Sequence, residues 1–485
     1  MKKILIFLLG ISLFLVGCQG DFLDVQPTDQ ISKTTLDEYA NSSPDAVVAL
    51  TEPIVNGFYQ TMIDYQGNHD VFGQKAVDLA MDLQGMDMVQ TIFHWFGYDY
   101  QMENRDYNYR RVNRTWEFYY QLIFGANEVL QLMPESPDDP KLISFKGQAL
   151  GIRAYAYFYL IRIYQFTYDG HQQRLGVPLY RLTGSEIEDG RRATVEQVYE
   201  GIIDDFEKAY ELLTQVNLSN SQFNKNAAAL YLSDAYLTMK NYERAAFYAN
   251  KAREGFSLMS KAQYTEGFNS VDNPEVIWGC PITPENTNYY ASYLSHIAHF
   301  LVNGDIAQGY GGPYAPKAIY GVLYNQIPAS DIRKMMWVSS GPEQYVNRKF
   351  LWYEDFLGDY QYARVAEAYL IEAEALAHTN EGQARQVLYD LVKERDSQYQ
   401  LSTNSGQALL DEIQFQKRIE LWGEGRAQFD RKRLKLGVDR TGNEPDNNHT
   451  PGGRLKFEWN NKVFVFAMPM LEIDANPNLV LDDNQ

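Results

Sequence analysis

Cysteine is almost missing from this chain. There are two in 485 residues, Cys18 and Cys280, which is too few for a disulfide framework. Stability has to come from a buried core, and the length is ample for one. Long apolar runs are missing as well. Beyond Cys18 none approaches the roughly 20 residues that a membrane-spanning helix needs. Positive charge is in short supply: 43 Lys and Arg face 63 Asp and Glu, for a formal charge of −20. That excludes nucleic acid as a partner, because nucleic acid selects for basic patches. It also excludes tight docking on anionic lipid by charge alone, and it favours solubility. Signatures of catalysis are absent too. There is no helical His-Glu-x-x-His zinc motif, no glycine-rich phosphate loop, no nucleophile elbow and no Cys/His dyad. His296 and His299 form a His-x-x-His pair with no third ligand. Asp78, Asp82 and Asp87 lack the spacing of a calcium loop and read as a solvated face. Carboxylates are plentiful, but nothing marks two of them as a glycosidase pair. No catalytic residue, metal or cofactor is expected.

What the chain does have begins at its start. Met1-Lys2-Lys3 is followed by an uncharged run, Ile4 to Val16, and then by Gly17-Cys18. A basic start, a short apolar stretch and small residues make a secretory signal. Leu15-Val16-Gly17-Cys18 matches the lipobox of bacterial lipoproteins, in which the cysteine sulfur receives the lipid. Residues 1–17 are therefore expected to be removed and Cys18 to be lipidated. One acyl chain holds a protein only marginally, and a lipoprotein cysteine carries two or three. The expected mature protein is anchored to a membrane without crossing it. Cys280, in Val276-Ile277-Trp278-Gly279-Cys280-Pro281, then has no partner and reads as a small buried residue.

Further along, the strong signals are helical. Asn113 to Met133 carries Trp116, Tyr120, Ile123 and Leu130 on one stripe, and Pro134 ends it. Lys146 to Phe166 repeats the helical spacing with Ala149, Ile152, Ala156, Tyr159 and Ile163. Thr194-Val195-Glu196-Gln197 is a capping box that starts a helix running to about Thr214. Asn226 to Arg253 reads as two helices joined at Lys240-Asn241. Ala229, Leu232, Tyr236, Ala245, Ala249 and Ala252 fall at tetratricopeptide offsets. The small residues let the two helices approach, and Tyr236 fills the gap between them. A second match runs from Arg364 to Arg395, and the pair Asn113–Met133 and Lys146–Phe166 makes a third unit. Such units stack into a short solenoid with a continuous core. A last helix is expected over about Ala408 to Leu436.

Two regions break this pattern. Phe256 to Phe350 is rich in Gly, Pro, Asn and Tyr, with Gly304, Gly309, Gly311, Gly312 and Pro313 close together. Gln66 to Tyr109 is mixed in patterning and dense in aromatics. Long irregular segments in a compact domain are usually functional. The chain has 36 Tyr, more amphipathic rings than a core requires. A binding surface is served by flat aromatic faces with hydrogen-bonding neighbours. His94-Trp95-Phe96-Gly97-Tyr98-Asp99-Tyr100-Gln101, with Asn104 and Arg105, supplies both, and so does Asn286-Thr287-Asn288-Tyr289-Tyr290-Ala291-Ser292-Tyr293. The candidate ligand residues are Trp95, Tyr98, Tyr100, Tyr289, Tyr290 and Tyr293. Trp116, Trp278 and Trp422 read as structural, and Arg418, Glu420, Glu424, Arg426 and Asp430 as a structural charge network on a helix face.

Four segments taken together resemble the SusD/RagB family of outer-membrane nutrient-binding lipoproteins. The first is Cys18 followed by Asp21-Phe22-Leu23-Asp24-Val25-Gln26-Pro27. The second is Gly176-Val177-Pro178-Leu179, then Arg192 to Tyr199 and Ile203-Asp204-Asp205. The third is Arg364 to Leu370, then Ala373-Glu374-Ala375. The fourth is Arg418-Ile419-Glu420-Leu421-Trp422-Gly423-Glu424-Gly425-Arg426, then Phe429-Asp430 and Lys432-Arg433. The ending, Met468-Pro469 to Asn476-Pro477-Asn478-Leu479, is similar too. Departures are Arg431, where the family often has Leu, and Gln416, where an acidic residue is common; neither falls at an expected ligand residue.

The resemblance implies an all-α fold, with tetratricopeptide-like helix pairs in a right-handed superhelical scaffold and long irregular loops building a ligand-binding face. It implies one domain over residues 18–485, with a SusD-like N-terminal part to about 255 and a RagB/SusD C-terminal part from about 256. It implies a place on the outer face of a Gram-negative outer membrane, and as partner a SusC-like TonB-dependent transporter. The ligand it implies is a glycan, or a peptide or other nutrient, with no catalysis. A lipid-anchored glycoside hydrolase and a tetratricopeptide assembly scaffold are the alternative readings.

Overall fold

The computed structural model describes residues 43–181, 190–298, 314–341, 344–352 and 356–481. The expected signal peptide, Cys18, Phe22-Leu23, His299 and the glycines from 304 to 312 lie outside the described residues. The chain divides into two compact units, Met1–Leu50 and Thr51–Gln485. In the first, the described residues begin helix α1 (Pro44–Thr61). The second holds everything that follows.

The helical scaffold is α3 (Arg110–Leu132), α4 (Pro140–Tyr164), α5 (Val195–Leu213), α6 (Lys225–Thr238), α7 (Tyr242–Arg253), α8 (Val365–Ala377) and α9 (Glu381–Val392), with α2 (Gln74–Leu83) ahead of it. Its starts are set by side chains that accept from free amides. Asp139 accepts from the Lys141 and Leu142 amides with Pro140 at the first helical position, so α4 begins six residues before the apolar stripe suggests. Thr194 and Gln197 form the reciprocal capping box of α5. Asn224, Asn241 and Asn380 cap α6, α7 and α9. Each helix packs on the next along the series from α3 to α9, as in a solenoid. The seams are made by small residues: Ala229, Ala235, Ala245, Ala249 and Ala252 are fully buried. Tyr236 and Tyr248 stack between α6 and α7, with ring centroids 5.9 Å apart.

Two expectations are corrected. Gln66 to Tyr109 contains α2, every residue of which is buried. Asp78, Asp82 and Asp87 are therefore interior groups and not a solvated face. Each has hydrogen-bonding partners, but at Asp82 burial outweighs them and pushes the carboxyl up to about 7. Asp78 accepts from Gln74 and Tyr159 and pairs with Lys75. Asp82 accepts from the Gly425 and Ala427 amides. Asp87 accepts from Arg418. The last helix is also broken, into α10 (Gln407–Glu420) and α11 (Ala427–Arg433). Gly423 and Gly425 both sit at φ 84, a conformation that favours glycine. A side chain at position 425 would also meet Asp78 Cβ at 2.6 Å. The apolar period runs on through residue 436, but the backbone has to turn here to lie against α2.

The charges of this turn form a buried lattice. Glu420 is fully buried and accepts from Arg333, Arg364 and Arg395. Glu275, also fully buried, pairs with Arg364 and Arg395. Glu424 pairs with Arg364 and Lys349. Burial alone would raise the Glu420 and Glu424 carboxyls. The guanidiniums outweigh it, so Glu420 is held well below the usual range and Glu424 is lowered to about 2. The folded chain thus binds fewer protons than the unfolded chain at acid pH. This part of the stability is complete above the unfolded value near 4.5 and is lost as pH falls toward 2. The melting temperature should drop steeply in that window, and the drop should be shallower in Glu420→Gln.

Strands are few and short, and they fasten loops to the scaffold. β1 (Tyr65–Asn68) pairs with β2 (Val71–Phe72), and β3 (Met88–Gln90) with β7 (Lys317–Ile319). β4 (Leu175–Pro178) pairs with β5 (Arg192–Thr194), and β6 (Val276–Cys280) with β8 (Tyr360–Arg364). These four pairs are antiparallel, as is a fifth between Val438–Asp439 and Lys456–Phe457.

Candidate ligand-binding site

The β3–β7 ladder joins residues far apart in sequence, with Met88 opposite Ile319 and Gln90 opposite Lys317. It brings the segment after Gln90 beside the segment before Lys317. Thr91 donates to the Pro316 carbonyl through its amide and its hydroxyl. The Gln90 side-chain amide donates to the carbonyls of Ile92 and His94, each at 3.1 Å, and so fixes the loop from the inside.

An aromatic surface results. Trp95 is half-buried, with the His69 ring 5.1 Å from its own and the Arg110 guanidinium 6.0 Å from its centroid. His94 stacks on Tyr314 at 6.1 Å. Phe93 meets Tyr98 edge to face at 5.0 Å. Tyr314 is 64% exposed, Phe93 53% and Tyr98 47%. Phe96 turns inward against Phe72 and His296 and anchors the loop. Beneath the rim, Asp70 accepts from Arg110 and Arg111, and Arg111 reaches Asp99. Rings with open faces beside a charged, hydrogen-bonding rim can take the apolar side of a hydroxylated ring and its hydroxyls together.

The second candidate stretch borders the same β1–β2 hairpin. The Asn288 side chain donates to the Ile63 carbonyl just before the hairpin, while His69 at its turn carries Trp95. Tyr289 and Tyr290 are 47% and 54% exposed. Tyr290 leans on Phe356 at 5.4 Å. Tyr289 is held at φ 45, which is uncommon for a bulky residue. Its amide donates to Thr287 Oγ1, and its carbonyl accepts from Ser292.

Of the six aromatics expected at the ligand, four reach the surface: Trp95, Tyr98, Tyr289 and Tyr290. Tyr100 and Tyr293 do not, and both are corrected to structural roles at 2% exposure each. Tyr100 bonds His449 through its hydroxyl at 2.8 Å, stacks on the same ring, and lies under Arg440. Tyr293 donates to the Gly423 carbonyl and packs on Phe350 and Tyr360, with Lys75 over its face. Short helical turns, Gly97–Tyr100 and Tyr293–Ile297, rotate these two rings inward. Conversely, Tyr314, Phe93 and Tyr65 (42% exposed) join the exposed rings. Tyr314 follows Gly-Gly-Pro directly, and that was its signal in the sequence.

Trp116, Trp278 and Trp422 are buried, as expected. Cys280 is a buried free thiol that burial pushes up to about 12. His296 is buried and donates to the His69 carbonyl. Among the described residues no three His, Cys, Asp or Glu gather as a metal site. Among them, too, no helix is long and apolar enough to cross a membrane.

Residues 21–237 match a family described as starch-binding and associating with the outer membrane, and residues 355–484 match the SusD family. The chain belongs to the SusD/RagB family. It is 26% identical over 425 residues to SusD-like protein P2 of Formosa agariphila, covering 76% of this chain and 79% of the relative. A SusD-like carbohydrate-binding protein from Bacteroides vulgatus superposes with a TM-score of 0.79 at 27% identity, over 89% of this chain and 97% of that one. Surface glycan-binding protein A of Bacteroides uniformis shares the fold, with a TM-score of 0.68 at 17% identity over 90% of this chain and 100% of that one.

Proposed function

We propose that this protein is a lipid-anchored outer-membrane lipoprotein that binds a glycan and hands it to a SusC-like TonB-dependent transporter. The observation that carries the binding role is the exposed aromatic surface around Trp95 and Tyr314, braced from behind by the β3–β7 ladder and the Asp70–Arg110 pair. A surface held ready in this way loses little freedom on binding. The carbohydrate-binding relatives support the ligand class, and the family description supports the membrane. The lipobox before Cys18 supports the anchor. Its short distance from Phe22-Leu23 suits a protein held close to the membrane, where a transporter partner would raise the local ligand concentration. The reading is of a binding protein and not an enzyme.

Electrophoresis through gels containing single polysaccharides tests the reading, with reducing-sugar release followed in parallel. Retardation by one polysaccharide without release supports it. Turnover that one carboxylate substitution abolishes would replace it with a hydrolase.

A further inference from the structure

Away from the aromatic surface, a cleft of about 580 Å³ opens between α10, α11 and the ends of α6 and α8. It adjoins a smaller, mainly apolar recess lined by Met88, Leu421 and Trp422. Gln414 and Arg418, one turn apart on α10, and Arg431 on α11 line both cavities.

Among the described residues, the basic side chains of the cleft are paired except one. Basic side chains outnumber acidic ones on its walls, in a chain whose net charge is −20. Arg433 is taken up by Glu374 and Asp430. Lys240 and Lys435 share Asp169. Asp87 accepts from Arg418. Arg431 makes no ion pair and no side-chain hydrogen bond among the described residues, and its Nε is fully buried without a partner. The Gln414 Nε2 is buried and unpartnered as well. Both orphan groups are donors. Buried donors without acceptors are costly and rare in folded proteins, and a guanidinium is suited to a two-oxygen anion. Burial and, less strongly, neighbouring Arg418 lower Arg431 to about 10 against the pull of the Asp87 carboxylate, so it remains charged at neutral pH.

We propose that this cleft is a second ligand site, which takes a sugar unit bearing a carboxylate or a sulfate ester, with the anion held by Arg431 and Gln414. The choice of a sugar rests on the glycan reading above. The wider lobe suits it: Gln407 and Asp411 offer polar groups for hydroxyls, and Phe415 offers a half-buried ring.

The test is ligand-observed NMR titration of the whole chain with glucuronate, glucose 6-sulfate and glucose. At least one of the two anions should bind and glucose should not; which anion binds assigns carboxylate or sulfate. Arg431→Gln should weaken that binding about tenfold or more, and Gln414→Leu should weaken it if Arg431→Gln does not fold. Trp95→Ala should leave it unchanged. The proposal is overturned if neither anion binds, if both variants bind as the parent does, or if Trp95→Ala abolishes the signal. Binding of a triglutamate peptide through Arg431, with no sugar acid bound, overturns it in favour of an acidic peptide. Failure of every neutral polysaccharide to retard the parent chain would count against the aromatic surface and leave the Arg431 measurement standing.

Discussion

Glu420→Ala should destabilise the protein by about 3–5 kcal/mol, the range found when one member of a buried ion pair is removed. The carboxylate faces three arginines, Arg333, Arg364 and Arg395, and is fully buried along with them. Its loss leaves four buried cations, these arginines and Lys349, against the three carboxylates Glu275, Glu424 and Asp331. Glu420→Gln keeps the shape and one acceptor but removes the charge, so it should fall between the parent and the alanine variant. A buried ion pair is weak evidence of net stabilisation, because desolvation opposes it. The expectation therefore concerns the broken lattice and not the worth of the intact one. Denaturant unfolding at pH 7 checks it. Variants within about 1 kcal/mol of the parent would show that water or local movement relieves the arginines.

That lattice shows what the sequence could and could not disclose. Arg418 to Asp430 reads as a structural charge network from its density alone, and it is one. Its partners are Glu275, Arg333, Arg364 and Arg395, scattered across loops and other helices, so no local spacing could mark it as interior. The same limit explains Asp78, Asp82 and Asp87. A buried carboxylate and a solvated one look alike until the amides of Gly425 and Ala427 or the Arg418 side chain arrive from more than 300 residues away. The helix pairs were legible because their signals are local: caps at Thr194 and Asn241, alanine seams and a period of 3.6. The break after Glu420 was hidden because glycine permits a turn without demanding it.

The binding surface was half legible for a related reason. Composition located the two aromatic stretches, and the structure ties one to the turn of the β1–β2 hairpin and the other to the residues just before it. Which ring faces out depends on a single helical turn, and that turn sends Tyr98 outward and Tyr100 inward. Tyr314 could be joined to Trp95 only by the pairing of β3 with β7, a contact across more than 200 residues.

Trp95→Ala should therefore reduce affinity for the retarding polysaccharide by about 2 kcal/mol, near thirtyfold, the scale of an aromatic hot spot. Trp95 lies between its supports, with His69 behind it, Arg110 at its face and His94 linking it to Tyr314. Its removal takes away the largest ring of the surface and loosens the two beside it. Tyr314→Ala should cost less, because that ring is smaller than the Trp95 indole and 64% exposed. Tyr100→Phe should leave affinity unchanged, since its hydroxyl serves His449 and Thr450 inside the protein, and should cost only about 1 kcal/mol of stability. Mobility in polysaccharide gels, read beside a melting curve for each variant, separates the two effects. Loss of binding in Tyr100→Phe with an unchanged melt, or full binding in Trp95→Ala, would move the ligand away from this surface. In the latter case the exposed rings of Tyr289 and Tyr290 are the next to replace.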